Sequence, residues 1–154
     1  MRANRVFPLL VVLAAVAWAD RIPPAGEGQI LVPGNQHASL LYVPSDWKEG
    51  MKYPLILFMH GAGGKPTTWP FRDTTKGNGY LIVGLAYGGQ DDAAAEGIRQ
   101  DASTVSAMMK YIDDVRALVD KEYGVDPSQV FLTGLSMGGW GVNFYGFHAE
   151  AKGK

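Results

Sequence analysis

Three stretches of the chain are apolar at nearly every position, and a longer one is apolar at every third or fourth. Tyr53 to Met59 (Tyr-Pro-Leu-Ile-Leu-Phe-Met), Tyr80 to Ala86 and Val130 to Thr133 are the continuous runs. Runs of this kind predict strands buried on both faces, as in a parallel sheet. Pro54 falls at the start of the first, where a missing N–H is tolerated. A shorter strand is predicted over Ser39 to Val43, closed by Pro44, and Asp46 to Lys52, with Gly50, reads as a turn. Between the second and third runs, Val105, Met108, Met109, Ile112, Val115, Leu118, Val119 and Tyr123 recur at steps of three and four. That spacing predicts one helix with a wide apolar stripe, N-capped by Asp101 and stopped at Gly124. Met108 and Met109 read as core. Strand, helix and strand, with the strands buried, predict a right-handed crossover and an α/β fold. Pro23-Pro24-Ala25-Gly26 reads as a loose lead, and no internal repeat, low-complexity tract or long linker divides the chain.

The pattern differs at the N-terminus. Arg2 and Arg5 precede an apolar run from Val6 to Val16, interrupted by Pro8 and followed by Ala17-Trp18-Ala19. A basic start, an apolar middle and an A-x-A end predict an export signal over residues 1–19, cleaved before Asp20. A membrane anchor is the alternative, but the run is about a dozen residues where a spanning helix needs about 20. The predicted domain is then residues 20–154, in a secreted or periplasmic protein.

Composition narrows the chemistry. The full chain carries 14 Lys and Arg against 15 Asp and Glu; without Arg2 and Arg5 the balance is 12 against 15, a formal charge of −3. Nucleic acid, which demands a basic surface, is not an expected partner. The chain has no cysteine, which rules out disulfides within it and a lipidated cysteine at the cleavage site. Its three histidines, His37, His60 and His148, are scattered without metal-ligand spacing, so neither metal nor cofactor is expected.

Directly after the third buried run stands Gly134-Leu135-Ser136-Met137-Gly138-Gly139, and Trp140 to Phe147 can form a helix behind it. This is G-x-S-x-G in its required setting of strand, sharp turn and helix. The spacing has a physical cause. A serine standing proud of a sheet needs a turn so tight that strand and helix nearly touch two residues to either side of it. Gly134 and Gly138 leave room there. Gly139 and Gly141 extend the small face of the helix. The bland alternative is a glycine-rich turn carrying an ordinary serine.

His60-Gly61-Ala62-Gly63-Gly64 follows the first buried run. Glycines there bring backbone N–H groups close to a substrate, where they can stabilise the oxyanion of acyl transfer. Phosphate binding is the competing use of such a loop, but Lys65 is followed by Pro66 rather than Ser or Thr, so no P-loop pattern is present. His60 reads as a structural residue bonding within its own loop rather than as a general base.

Tyr42-Val43-Pro44, the stretch from Tyr53 through Gly64, and Val125-Asp-Pro-Ser-Gln-Val-Phe-Leu-Thr-Gly-Leu-Ser-Met-Gly-Gly together resemble the α/β-hydrolase superfamily. Within it the chain is most similar to secreted esterases of the polyhydroxybutyrate depolymerase and feruloyl esterase group. The resemblance runs from about Ser39 onward. It implies a mostly parallel sheet with helices on both faces, and Ser136 as the nucleophile of an acyl-enzyme mechanism. It implies oxyanion donors at Met137 and Ala62, with Gly61 or Gly63 as neighbouring possibilities. The substrate would be a small or polymeric carboxylic ester. Trp69, Phe71, Tyr87 and Trp140 are candidates to line an acyl or aryl pocket, or else belong to the core.

The family orders its triad as serine, then acid, then histidine. After Ser136 the sequence offers His148 and Glu150. On a helix rising about 1.5 Å per residue, His148 would lie about 15 Å or more from Ser136, out of hydrogen-bonding reach. The resemblance therefore places the acid, the base and further strands beyond Lys154, and the sequence reads as the front portion of a larger hydrolase. Two other readings stay open: a peptidase or thioesterase on the same scaffold, and a hydrolase-fold module without catalysis.

Overall fold

The computed structural model describes residues 25–33, 37–87 and 102–151, the side chains of 102–104 and 148–151 excepted. The predicted export signal, Pro23, Pro24 and the Asp101 cap lie outside the described residues. In chain order the elements are β1 (Gly26–Ile30), β2 (Ser39–Val43), β3 (Tyr53–Met59), α1 (Phe71–Thr74), β4 (Leu81–Gly84), α2 (Ala102–Tyr123), β5 (Val125–Gly134) and α3 (Met137–Ala151).

The strands form one sheet in the order β1-β2-β4-β3-β5. β3 pairs in parallel with β4 on one side and β5 on the other, so the three apolar runs form the parallel part of the sheet. β3 and β4 are buried as their composition predicts, but the third run is not: β5 is the last strand of the sheet among the described residues, and Phe131 is 50 % exposed. β2 joins β4 antiparallel, and β1 joins β2 antiparallel. The sheet among the described residues is thus mixed, with two parallel and two antiparallel pairings.

Alternation along β3 divides its side chains between two faces. Leu55, Leu57 and Met59 join Met108, Ile112, Val115 and Val119 of α2 in one buried cluster. α3 lies on this same face, with Gly141 against Met59 and Met108. Phe58 points the other way, and Phe71 of α1 meets it edge to face at 5.5 Å. Helices therefore flank both faces. Most of the α2 stripe is buried as its period requires, with Leu118 and Tyr123 half-buried at its margin, and Gly124, at φ 77°, ends the helix. Gly124 N donates to the Asp120 carbonyl at 2.9 Å, and the Asp120 carboxylate accepts Val125 N at 2.8 Å. Helix and following strand are thereby joined through one residue. Among the described residues no helix is long and apolar enough to cross a membrane.

Three boundaries differ from the sequence reading. β5 starts at Val125, five residues before its apolar run, because Val125 pairs with Tyr53 ahead of a register shift. Pro54 and Pro127, neither with an N–H to give, sit in that irregular stretch. It is closed locally instead: the Asp126 carboxylate accepts Ser128 N, Ser128 Oγ and Gln129 Nε2 at 2.7–2.9 Å, and these bonds hold its pKa below the usual carboxylate value. β4 is shorter than its run, ending at Gly84, although Leu85 to Tyr87 stay buried beyond it. β1 is an edge strand starting at Gly26, where the sequence reads as a loose lead. Glu27, which accepts from Thr68 Oγ1 and from Arg72 at 3.3 Å, ties it to the segment leading into α1.

Candidate active site

β3 and β5 end side by side, and both candidate loops leave from that edge. The strand-to-helix connection after Gly134 is two residues long, Leu135 and Ser136. Leu135 N donates to the Met59 carbonyl at 3.0 Å, which pins the turn to the end of β3. Ser136 has φ 53°, a left-handed backbone that costs a residue with a β-carbon and persists only where its surroundings impose it. The constraint is visible on either side. A β-carbon on Gly134 would lie 2.3 Å from the Gly138 carbonyl carbon, and one on Gly138 would lie 2.1 Å from the Met59 oxygen. The sequence reading of close approach therefore holds at both positions, but Gly138 is required by β3 rather than by its own strand. At Gly139 an added β-carbon would make ordinary contact at 3.6 Å, so close packing does not explain that glycine.

Ser136 is exposed, and with Gly139, Trp140 and Asn143 it lines a cleft of about 290 Å³. Trp140 is 60 % exposed and stacks at a tilt on Phe144, ring centroids 6.5 Å apart. Asn143 was not singled out by motif; its helical spacing, three after Trp140 and seven after Ser136, is the signal that could have found it. Met137 is buried and opens α3, in the first turn where backbone N–H groups have no partner within the helix.

The glycine-rich loop lies against this turn. A β-carbon on Gly61 would stand 3.5 Å from both Ser136 Cβ and the Leu135 oxygen. Gly64 N donates to the Gly61 carbonyl at 3.1 Å, closing a turn around Ala62 and Gly63. Gly63 takes φ 68°, and Ala62 is exposed. The His60 Nδ1–H donates to that same Gly61 carbonyl at 2.8 Å. His60 is thus engaged within its own loop, as the sequence reading has it.

The aromatic candidates separate. Trp140 reaches the cleft. Trp69 is 60 % exposed just before α1 and is not among the residues lining the cleft. Phe71 packs on Phe58. Tyr87 is not among the residues lining the cleft either: it is 3 % exposed, its ring lies 4.8 Å from the His60 imidazole, and its hydroxyl donates to the His60 carbonyl. Burial pushes the Tyr87 pKa up to about 12, so near neutral pH it is a protonated donor. For Tyr87 the core alternative is the one the structure supports. α3 continues through His148 to Ala151, so His148 is on the helix following Ser136, its side chain lying outside the described ones. Among the described residues no group of three His, Asp or Glu side chains is placed to hold a metal ion.

Comparison with known proteins agrees with this architecture. No curated protein matches the chain. Among solved structures it is similar to the AtxE2 isopeptidase (19 % identity, TM-score 0.57, covering 77 % of this chain and 20 % of that one). It is likewise similar to a "putative acetyl xylan esterase" of Bacteroides fragilis (14 %, TM-score 0.54, 78 % and 40 %). A third similar structure is the acylaminoacyl peptidase of Pyrococcus horikoshii (20 %, TM-score 0.53, 77 % and 20 %). At these identities the likeness establishes the α/β-hydrolase fold, and the chain spans a fifth to two fifths of the length of these structures. Residues 33–148 match the family described as "Putative esterase". That match takes in β2 through most of α3, with both candidate loops, and the chain belongs to this esterase family.

Proposed function

We propose that the chain carries the nucleophile and oxyanion portion of a secreted carboxylic-ester hydrolase that works through an acyl-enzyme on Ser136. The observation carrying this reading is the backbone of Ser136. A serine at φ 53°, exposed at a strand-to-helix turn and clamped by Gly134 and Gly138, is a costly arrangement that an ordinary turn does not need. The Ser136 hydroxyl attacks the ester carbonyl, the alcohol leaves, and water later releases the acid. Met137 N, at the start of α3, and Ala62 N, in the glycine loop, are the donors assigned to the oxyanion; such a donor is worth about 2.7–4 kcal/mol to the transition state. The cleft beside Trp140 receives part of the substrate.

The general base and its acid are assigned to sequence outside the share of the fold that this chain spans. His60 is assigned a structural part: its Nδ1–H is given to the Gly61 carbonyl and its ring lies against Tyr87. Export by the N-terminal signal belongs to the same proposal, and an exported protein beginning at Asp20 would support it.

The test uses the complete open reading frame. A fluorophosphonate probe should label the protein on the peptide containing Ser136, and Ser136→Ala should abolish labelling. Label on another residue, or none, would overturn the assignment. Cleavage of an amide or thioester uses the same portion of the site, and a panel of p-nitrophenyl esters, thioesters and peptide anilides ranks the three substrate classes.

A further inference from the structure

We propose that Tyr87 is a positioning residue for the oxyanion loop, setting the direction of its backbone N–H groups from beneath. The inference rests on the reading of Ser136 as nucleophile and adds to it a residue that no motif marks.

Beyond Met59 the carbonyls of β3 run out of sheet partners. The Phe58 carbonyl accepts Leu85 N at 2.9 Å and the Met59 carbonyl accepts Leu135 N at 3.0 Å. The His60 carbonyl comes next, where the strand has ended, and it is the one that the Tyr87 hydroxyl takes. The Gly61 carbonyl is then held twice, by His60 Nδ1 at 2.8 Å and by Gly64 N at 3.1 Å. Two consecutive carbonyls of the loop are therefore fixed in direction.

A trans peptide is planar, so fixing a carbonyl fixes the N–H of the next residue, which points the opposite way. Holding the His60 carbonyl aims the Gly61 N–H, and holding the Gly61 carbonyl aims the Ala62 N–H. The two restraints are coupled. The Tyr87 ring also lies against the imidazole whose Nδ1 makes the second bond, 4.8 Å between centroids at 36°. One tyrosine thus supports both peptides, one by its hydroxyl and the other through the His60 ring. Its side chain is 3 % exposed and its segment follows β4, a strand adjacent to β3, so the support comes from the sheet. Donors aimed in advance at the oxygen cost no reorganisation during the reaction, and that is the benefit such bracing confers.

The test removes one oxygen. Tyr87→Phe in the full-length protein keeps the ring and deletes the donor. Tyr145→Phe is the matched control, since Tyr145 also gives a part-buried hydroxyl hydrogen bond, to Asp113 at 2.6 Å, but between α2 and α3. Fluorophosphonate inactivation rates and the kcat and KM for p-nitrophenyl acetate are measured for all three proteins and normalised to folded fraction. Trimethylamine N-oxide is added where a variant is unstable, since it favours the folded state. Tyr87→Phe should react about tenfold more slowly, less than the hundredfold or more lost with a donor itself, with the loss in kcat and KM within about twofold. Tyr145→Phe should react as the wild type does. Equal rates for Tyr87→Phe and wild type would overturn the inference, and so would an equal slowing of both variants, which marks a merely structural bond. An unlabelled wild type would overturn the reading of Ser136, and this inference with it; the wild-type lane separates the two failures.

Discussion

The α-carbon of Gly138 stands so close to the end of β3 that a β-carbon on it would lie 2.1 Å from the Met59 carbonyl oxygen. That oxygen already accepts Leu135 N, so it cannot move without releasing the turn that carries Ser136. Sheet, turn and helix are thus fitted at one point with no slack, and the backbone of Ser136 is held by its neighbours rather than by its own preference.

Gly138→Ala is therefore expected to be severe. Overpacking against backbone has no rotamer escape, and a loss of about 3 kcal/mol, the upper end for added volume in a packed site, is expected. Urea denaturation checks it, and fluorophosphonate labelling of the remaining folded protein should fall in parallel. A folded variant labelled at the wild-type rate would show that the contact with Met59 is not what holds the turn.

Gly61→Ala should behave in the opposite way. The added methyl would meet Ser136 Cβ and the Leu135 oxygen at 3.5 Å, an ordinary contact, and Gly61 is not among the positive-φ glycines. Where the backbone accommodates alanine, replacing glycine stabilises by about 0.4–1 kcal/mol through the unfolded chain. The urea midpoint should hold or rise while labelling slows, because the methyl crowds the nucleophile. Stability lost together with labelling would mean that the loop needs Gly61 for its own conformation.

These two glycines mark where the sequence was legible. Gly138 was legible in the motif, and β3, β4 and the α2 stripe in their apolar spacing, because each is a local pattern with one physical cause; the exposure of β5 was not, because it depends on the strand's place in the sheet. β1 was not legible: Gly26-Glu-Gly-Gln-Ile has little strand preference, and it pairs because β2 offers an edge and because Thr68 and Arg72 bind Glu27. The four residues of α1 are too few to show a period. Tyr87 reads as pocket or core by composition, and its contact to His60, 27 residues away, exists only once β3 and β4 lie side by side. Local grammar thus reveals the nucleophile turn, whereas the support beneath the oxyanion loop is tertiary.

Asp120 gives a prediction at acid pH. Its carboxylate takes Lys52 Nζ at 2.9 Å and Val125 N at 2.8 Å, and these bonds, the lysine first, hold its pKa below the ordinary value. A depressed folded pKa means that this stability is present above the unfolded value of about 3.9 and is lost as pH falls through the folded one. Asp120→Asn keeps an acceptor for Val125 N and removes the charge. It should lose about 1 kcal/mol or less at pH 7, since the pair is half exposed, and should flatten the fall in stability below pH 4. Urea midpoints at pH 3, 4 and 7 test this; parallel curves for variant and wild type would remove Asp120 as a source of the acid dependence.

At alkaline pH the sign reverses, and two tyrosines carry it. Burial pushes Tyr87 up to about 12; burial, then the bond to Asp113, pushes Tyr145 to about 12 as well. An unfolded tyrosine titrates near 10, so between about pH 10 and pH 12 the folded protein keeps protons that the unfolded chain has released. Stability from both groups is therefore fully present below pH 10 and is lost as pH rises through 12. Urea midpoints should stay level from pH 8 to about 9.5 and then fall, while phenolate absorbance from these two side chains should appear only with unfolding. Tyr145→Phe and Tyr87→Phe should each make the fall shallower, and the double variant shallower still, because the sites lie on separate elements and their titrations add. Phenolate absorbance complete by pH 10.5 in the folded protein would show that neither hydroxyl is held as the structure holds it.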